Sequence, residues 1–400
     1  MFGSSLPETL ELLRLVNFMI EALGESPRDT ELPLEIVELF NQVLEHLRSA
    51  ENDFDYWDRV STAREAYRQK TRLGVSGRKV ILSPEMLLAA FAEMKARLTA
   101  GIERAVAEND GIPPTYFYYE LKEYERTGTG DEQGRPFVAP KAFVQYRLPL
   151  FLEGPVRYLK ILEGQDRAEA LYEKVKRSAL YDQKLQMYKL NASLLNESHE
   201  IGRARAFSPG WLENESIWLH MSYKYLLEIL IAGLYVQFFE DIQTSMPPFM
   251  DVAIYGRSPL ENSSFIVSSA HPDESLHGAG FVARLSGSTA EFLSIWQRLM
   301  VGEKPFEMDS GELKLRLHPL LPGGFFTEEG KLTFKFLGSC IVTYFNPERK
   351  DTFSPDVKAN RYDLFLADGS KVTVENEAIS SPYAEMVRNG NILAIEVYLT

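Results

Sequence analysis

The densest group of chemistry-bearing side chains is Phe207-Ser-Pro-Gly-Trp-Leu-Glu-Asn-Glu-Ser-Ile-Trp-Leu-His220. A Ser-Pro-Gly turn opens the run, and Glu213 and His220 stand seven residues apart. In a helix that interval is nearly two turns, so both side chains share one face, with Lys224 at the next helical step. A carboxylate, an imidazole and an ammonium on one stripe suit a polar ligand such as a sugar with phosphate. The competing reading is a capped, salt-bridged surface stripe. Trp211 and Trp218 favour a sugar, whose apolar faces stack on aromatic rings.

Two later segments add polar density. Arg257–Phe265 and Ser268–His277 lack a helical period yet carry His271 and His277. Long connections of this kind in a compact domain are usually functional or disordered, and the apolar Leu260, Phe265, Ile266 and Val267 argue against disorder. Two histidines six apart without cysteine partners make a weak metal signal, so no metal is expected. In Arg284–Phe292, Ser288 and Glu291 have capping-box spacing. The free amides of such a helix start favour an anion, and Gly287 lets it approach the backbone.

The elements that must position these residues fall into two periods. From Leu6 to about Ala107 apolar residues recur at three and four, as in Leu10, Leu13, Leu15, Phe18, Met19 and Leu23. Pro33 and Pro84 mark helix starts, with Ser83 as an N-cap and a helix over Met86–Ala107. Ile112–Glu120 reads as a short strand or an aromatic loop, and Thr127–Arg135 as a surface loop. Helical pattern resumes over Gly154–Ala179, Glu213–Ile242 and Ser288–Met300. After Pro305 the period becomes two, as in Leu313, Leu315 and Leu317 or Ile395, Val397 and Leu399, which predicts antiparallel strands with one buried face. The expected organisation is a helical domain over 1–304 and a β-sandwich over 305–400.

Composition narrows the function. The 400 residues carry 43 Lys+Arg against 57 Asp+Glu, a formal charge of −14. That balance speaks against a nucleic-acid partner, which a basic patch would recruit. Any anionic ligand must therefore be gripped locally. A single cysteine, Cys340, leaves no internal disulfide and fits a reducing compartment. The apolar run Tyr225–Phe239 is broken by Glu228 and Gln237 and is short of the about 20 residues of a bilayer span. The N-terminal residues lack a signal-peptide pattern, so a cytoplasmic location and no membrane association are expected.

Pro209-Gly210-Trp-Leu-Glu213-Asn214-Glu215-Ser216-Ile-Trp-Leu-His220 resembles the Pro-Gly-x-x-Glu-Asn-Gly-Gly-x-x-x-His stretch of the inverting glycoside phosphorylases of glycoside hydrolase family 94. Gly278-Ala-Gly280 through Ser286-Gly287-Ser288 resembles that family's Gly-x-Gly-(x)6-Thr-Gly-Ser block, with five intervening residues in place of six. Val301–Phe306, Leu317–Pro322 and Asn346-Pro347 resemble its entry into a C-terminal β-domain. Glu215-Ser216 replaces Gly-Gly, and Ser286 replaces Thr. The likeness covers roughly Leu190–Pro347.

The resemblance implies a mainly α fold, part of an (α/α)6 barrel, ending in an antiparallel, jelly-roll-like β-sandwich. It implies inverting phosphorolysis of a β-linked gluco-oligosaccharide to α-glucose 1-phosphate, with phosphate as a substrate and no cofactor. His220, Ser286 and Gly287, with Ser288, inherit phosphate binding; Glu213, beside Trp211 and Lys224, inherits contact with the sugar. The family's general acid ends an Asp-Trp-Asn-Asp motif; Asp55-Tyr-Trp-Asp58 is the nearest likeness, making Asp58 the candidate, with Glu120 and Glu123 as alternatives. Such an acid must be kept protonated by burial. The family's N-terminal β-domain and early barrel helices have no counterpart here, so an N-terminal half chain is an expected partner, alongside a homodimer. The alternatives are a non-catalytic glucan-binding half-barrel and an inverting hydrolase, which needs a second carboxylate to activate water.

Overall fold

The computed structural model describes residues 2–282 and 286–400, apart from the side chains of Phe2 and Ser286. The chain divides into two units, Met1–Arg284 and Leu285–Thr400. The first begins with β1 (Phe2–Ser5), α1 (Leu6–Glu25), β2 (Thr30–Pro33) and α2 (Leu34–Ser49). It continues with α3 (Asp53–Thr71), β3 (Lys79–Leu82) and α4 (Pro84–Ala107). A hairpin of β4 (Tyr116–Gly130) and β5 (Pro136–Arg147) precedes α5 (Glu153–Leu159) and α6 (Gln165–Arg177). The short strands β6 (Tyr181–Asp182) and β7 (Met187–Tyr188) pair with each other. Then come β8 (Ile217–Trp218), α7 (Leu219–Ile231), α8 (Tyr235–Ser245), α9 (Val252–Tyr255), β9 (Phe265–Ile266) and β10 (Gly280–Phe281).

Local signals place the early helices. Pro84 opens α4 and the Ser83 hydroxyl accepts the Met86 amide at 3.4 Å, as its N-cap position predicts. Helix α1 buries Leu6, Leu10, Leu13, Val16 and Leu23 and packs on α4 and α5. Leu15 and Phe18, from the same periodic run, are 54% and 61% exposed, because only one stripe of the helix meets a neighbour. The Thr127–Arg135 stretch is not a free loop but the tip of the β4–β5 hairpin. Its turn is held by Asp131, whose carboxylate accepts the amides of Gln133 and Arg135 at 3.0 and 2.9 Å. From Glu120 to Gly130 β4 is exposed on both faces, so it shows no alternation for the sequence to reveal.

Two further expectations are corrected. The helical run read over Gly154–Ala179 is broken between α5 and α6, where Gly164 has φ +91°. The run over Glu213–Ile242 begins only at Leu219 and breaks again at Gly233, with φ +78°. Helices α4, α1, α5, α7 and α8 pack in succession and α2 packs on α3, and among the described residues they do not close a barrel. Among the described residues no helix is long and apolar enough to cross a membrane.

The second unit starts with α10 (Ser286–Val301), β11 (Phe306–Asp309), β12 (Glu312–Leu315), β13 (Lys331–Phe336) and β14 (Cys340–Phe345). It ends with β15 (Ala359–Leu366), β16 (Lys371–Val374), β17 (Ile379–Ser380), α11 (Tyr383–Arg388) and β18 (Ile392–Leu399). A five-stranded sheet runs β13-β14-β18-β15-β16 and a three-stranded one β11-β12-β17. Val342, Tyr344, Leu364, Ile395 and Val397 of the larger sheet share one core with Leu315 and Ile379 of the smaller. The expected antiparallel sandwich is therefore correct except at β14 and β18, which pair in parallel. Alternation reports which face of a strand is buried, not the direction of its neighbour. Helix α10 places Met300 and Val301 in this core, so it belongs with the strands and not with the helical domain assigned by its period.

Two buried polar groups tie this unit together. The Tyr344 hydroxyl donates to the Met300 carbonyl at 2.6 Å, fixing the end of α10 to β14. Tyr344→Phe strands that carbonyl and should lower unfolding stability by about 1–3 kcal/mol in urea denaturation. The Asp363 carboxylate is fully buried and meets Arg361 and Lys371 at 2.8 and 3.0 Å and the Thr373 hydroxyl at 2.7 Å. Burial works to raise its pKa, but these hydrogen bonds and the Arg361 charge outweigh it and hold the carboxyl at about 2. A carboxyl depressed in the folded state stabilises above its unfolded pKa and ceases to do so below its folded one. Thermal melts of the wild type should therefore lose stability between about pH 4 and about pH 2, and Asp363→Asn should be less stable at neutral pH and lack that component of the acid dependence.

Candidate functional site

The motif that suggested chemistry is a knotted turn before the helix, not its first turns. At Ser208-Pro-Gly210, Gly210 has φ +75° and a Cβ there would lie 2.5 Å from the His271 amide nitrogen, so glycine alone permits this approach. Trp211 and Asn214 exchange backbone hydrogen bonds at 3.2 Å, with Leu212 and Glu215 at φ +50° and +56°. Buried Asn191 reaches in from outside: its amide donates to the Glu213 carbonyl at 3.0 Å and its carbonyl accepts the Glu215 amide at 2.6 Å. Asn214, also buried, donates to the Phe207 carbonyl at 2.8 Å. Glu215, which stands where the family has glycine, is 8% exposed and pairs with Lys189 at 3.0 Å. Glu213 therefore does not share a helical stripe with His220 and Lys224. Those two lie four apart on α7, whereas Glu213 is presented by the turn.

This turn feeds β8 into a small sheet of order β10-β9-β8. Phe265 of β9 stands opposite Trp218 on one side and Phe281 on the other. The rings form a near-parallel ladder: Trp218 to Phe265 at 6.1 Å and 19°, Phe265 to Phe281 at 5.6 Å and 20°, and Phe281 to Trp211 at 3.9 Å and 3°. Trp211 thus spends a ring face on Phe281, and Trp218 is the tryptophan that meets the cavity beside Glu213. The His220 ring stands edge-on to Trp218 at 5.5 Å and 86°.

The cavity measures about 180 Å³, and Glu213, Trp218, Phe265, Tyr116, Phe151 and Glu153 are among its lining residues. Arg203 grips Glu213 with two hydrogen bonds, 3.0 and 2.5 Å, the bidentate geometry that orients a carboxylate. Glu153 accepts the Tyr116 hydroxyl at 3.1 Å and an Arg157 contact at 3.4 Å. Burial, and then the charge of Glu153, pushes the Tyr116 phenol up to about 12, so it stays a donor. The buried indole nitrogen of Trp218 has no hydrogen-bond partner among the described residues. Two carboxylates, a phenol, an indole N–H and the rings of Phe151 and Phe265 make a pocket that can hold a polyhydroxylated ring.

The other candidates lie elsewhere. Asp58 is exposed on α3, a helix that buries only Ala63 and packs on α2, so the burial expected of a general acid is absent. Glu120 and Glu123 are exposed on β4. Helix α10 begins at Ser286, so Ser288 sits inside its first turn, fully buried, and not at the cap position; the Ser286 side chain and Arg284 lie outside the described residues. His220 belongs to the first unit, Gly287 and Ser288 to the second.

The long connection after α9 is ordered by Asp182, whose buried carboxylate accepts the Ser269 amide and hydroxyl at 2.7 and 2.8 Å. In it, His277 spans the His271 carbonyl and the Lys184 ammonium at 2.8 and 2.9 Å, and the His271 Nδ1 accepts the Asp273 amide at 3.1 Å. Among the described residues no group of His, Cys, Asp or Glu is arranged to hold a metal.

Sequence reasoning missed Glu153, Arg203 and Asn191. The available signals were faint: an acid embedded in the apolar run Leu148–Leu159, and an asparagine in an apolar stretch before the motif. Asn191→Ala removes both bonds that fix the turn, and urea denaturation should show a loss of about 1–3 kcal/mol.

No protein-family model matches the chain, and no curated protein matches it. Among solved structures it is similar to an uncharacterized conserved protein from Thermus thermophilus, at 13% identity and TM-score 0.30, over 66% of this chain and 61% of that one. It is also similar to a GH63 mannosylglycerate hydrolase from the same organism in complex with glucose, at 14% identity and TM-score 0.30, over 65% and 59%. The matches span about three fifths of those chains' length, and at this score neither bears on fold or chemistry.

Proposed function

We propose that the chain is a carbohydrate-active protein of the inverting phosphorylase kind, acting on a β-linked gluco-oligosaccharide to release α-glucose 1-phosphate. The observation that supports this most is the cavity in which Glu213, the acidic residue of the phosphorylase-like motif, stands with Trp218, Phe265, Tyr116 and Glu153. In this reading Glu213, oriented by Arg203, accepts sugar hydroxyls, and Trp218 and Phe265 take the apolar edge of the ring. His220 serves the phosphate, which an acidic chain can bind only through a local device.

The reaction needs one protonated carboxyl. A phosphate oxygen attacks the anomeric carbon from the face opposite the leaving group, the glycosidic C–O bond breaks, and the acid's proton passes to the departing oxygen. Phosphate is already an anionic nucleophile, so the general base that an inverting hydrolase uses on water is not required. The proton donor must sit on the sugar's own wall, whereas Asp58 is exposed on another helix; Glu153 lies on that wall, but Tyr116 and Arg157 engage it as an acceptor and would have to release it first.

A sugar-binding module without chemistry is the second reading, favoured by helices that do not close a barrel. The two separate in one experiment. The protein is incubated with β-linked glucose oligomers with and without inorganic phosphate, and sugar 1-phosphate is followed by phosphorus NMR. Phosphate-dependent formation of an α-1-phosphate, lost in His220→Ala while oligomer affinity stays within about twofold of wild type, is the expected result. Sugar released equally fast without phosphate would make the protein a hydrolase, and binding without turnover would leave the module.

A further inference from the structure

Strand β4 turns successive side chains to opposite faces, so Tyr116 and Tyr118 share one face of the β1–β4–β5 sheet. On that face the cavity at Glu213 is not closed off. It shares Tyr116, Phe151 and Ala204 with a second cavity of about 510 Å³ that runs on beside Tyr118, Glu8 and Glu200. The two form one groove, within the size range of about 300–1,000 Å³ that takes extended small ligands. Its floor is a row of aromatic rings, Phe265, Trp218, Phe151, Tyr116 and Tyr118, the last braced by stacking on Tyr146 at 5.0 Å and 15°.

The wall chemistry is one-sided. Glu8, Glu153, Glu200 and Glu213 border the groove, and no lysine or arginine is among its described lining residues. Arg203 and Arg157 engage Glu213 and Glu153, so the acidic surplus sits at Glu8 and Glu200 along the arm, where it repels an anionic polymer, while carboxylate oxygens accept hydrogen bonds from hydroxyls. Aromatic rings and acceptors together suit a chain of neutral sugars.

We propose that this groove is the binding cleft for an extended neutral oligosaccharide. The Glu213–Trp218 end takes the reacting unit, and the Tyr116–Tyr118 arm takes the units that follow and sets the preferred chain length. This rests on the sugar reading of Glu213 and adds to it the length and charge of the ligand.

The test is isothermal titration calorimetry with β-1,2-, β-1,3- and β-1,4-linked glucose oligomers of two to five units, and with an oligomer of glucuronic acid. For the series that binds, affinity should rise about tenfold from two units to four, and the glucuronic acid oligomer should bind at least about tenfold more weakly. Tyr118→Ala should cut the length-dependent gain to about twofold; Glu200→Ala, an exposed position, gives the same readout should the first variant not fold. A disaccharide that binds as tightly as the tetramer overturns the cleft while leaving the sugar site intact. Equal affinity for the uronic acid oligomer overturns its preference for neutral chains. Binding of none of the oligomers overturns the sugar reading itself, and the cleft with it.

Discussion

Everything at the candidate site depends on one buried asparagine. Asn191 holds the carbonyl of Glu213 and the amide of Glu215 from outside the turn that joins them, at 3.0 and 2.6 Å. A four-residue turn with two non-glycine residues at positive φ is costly to hold, and such strain persists only where the surroundings over-determine it. Asn191 supplies that constraint with two bonds, and the Asn214–Phe207 bond and the Lys189–Glu215 pair add to it. These bonds fix the turn within the protein itself, and the Glu213 carboxylate it presents is aimed by the Arg203 guanidinium.

The electrostatics of the first unit follow one pattern. With 14 more acidic than basic residues, the chain cannot attract an anion through its overall field. The groove along Tyr116 and Tyr118 keeps that acidic character, and the cations near it are already engaged, Arg203 with Glu213 and Arg157 with Glu11 and Glu153. The site's charge is therefore set by local pairs and not by the overall field.

The second unit shows how a single helix can be claimed by its packing. The apolar period of α10 is helical, yet its last turn is buried against strands and its Met300 carbonyl is bonded by Tyr344. On the solvent side of the same sheet, buried Asp363 is satisfied by Arg361, Lys371 and Thr373, which makes a costly buried charge tolerable.

Much was legible locally. Ser83 and Pro84 start α4, period two marks the strands after Pro305, and the Pro209–His220 run contains Glu213 and Trp218, which line one cavity. These signals are carried by neighbours within a turn or a strand, where propensity and periodicity act. What only the tertiary structure decided involves partners distant along the chain: Asn191 on Glu213, Glu153 and Tyr116 on the cavity wall with it, β18 parallel to β14, and α10 joined to the sheet. Each depends on which surfaces meet once backbone hydrogen bonds are satisfied. A one-dimensional pattern reports which face of an element is apolar, and the other element that covers that face is chosen by packing in three dimensions.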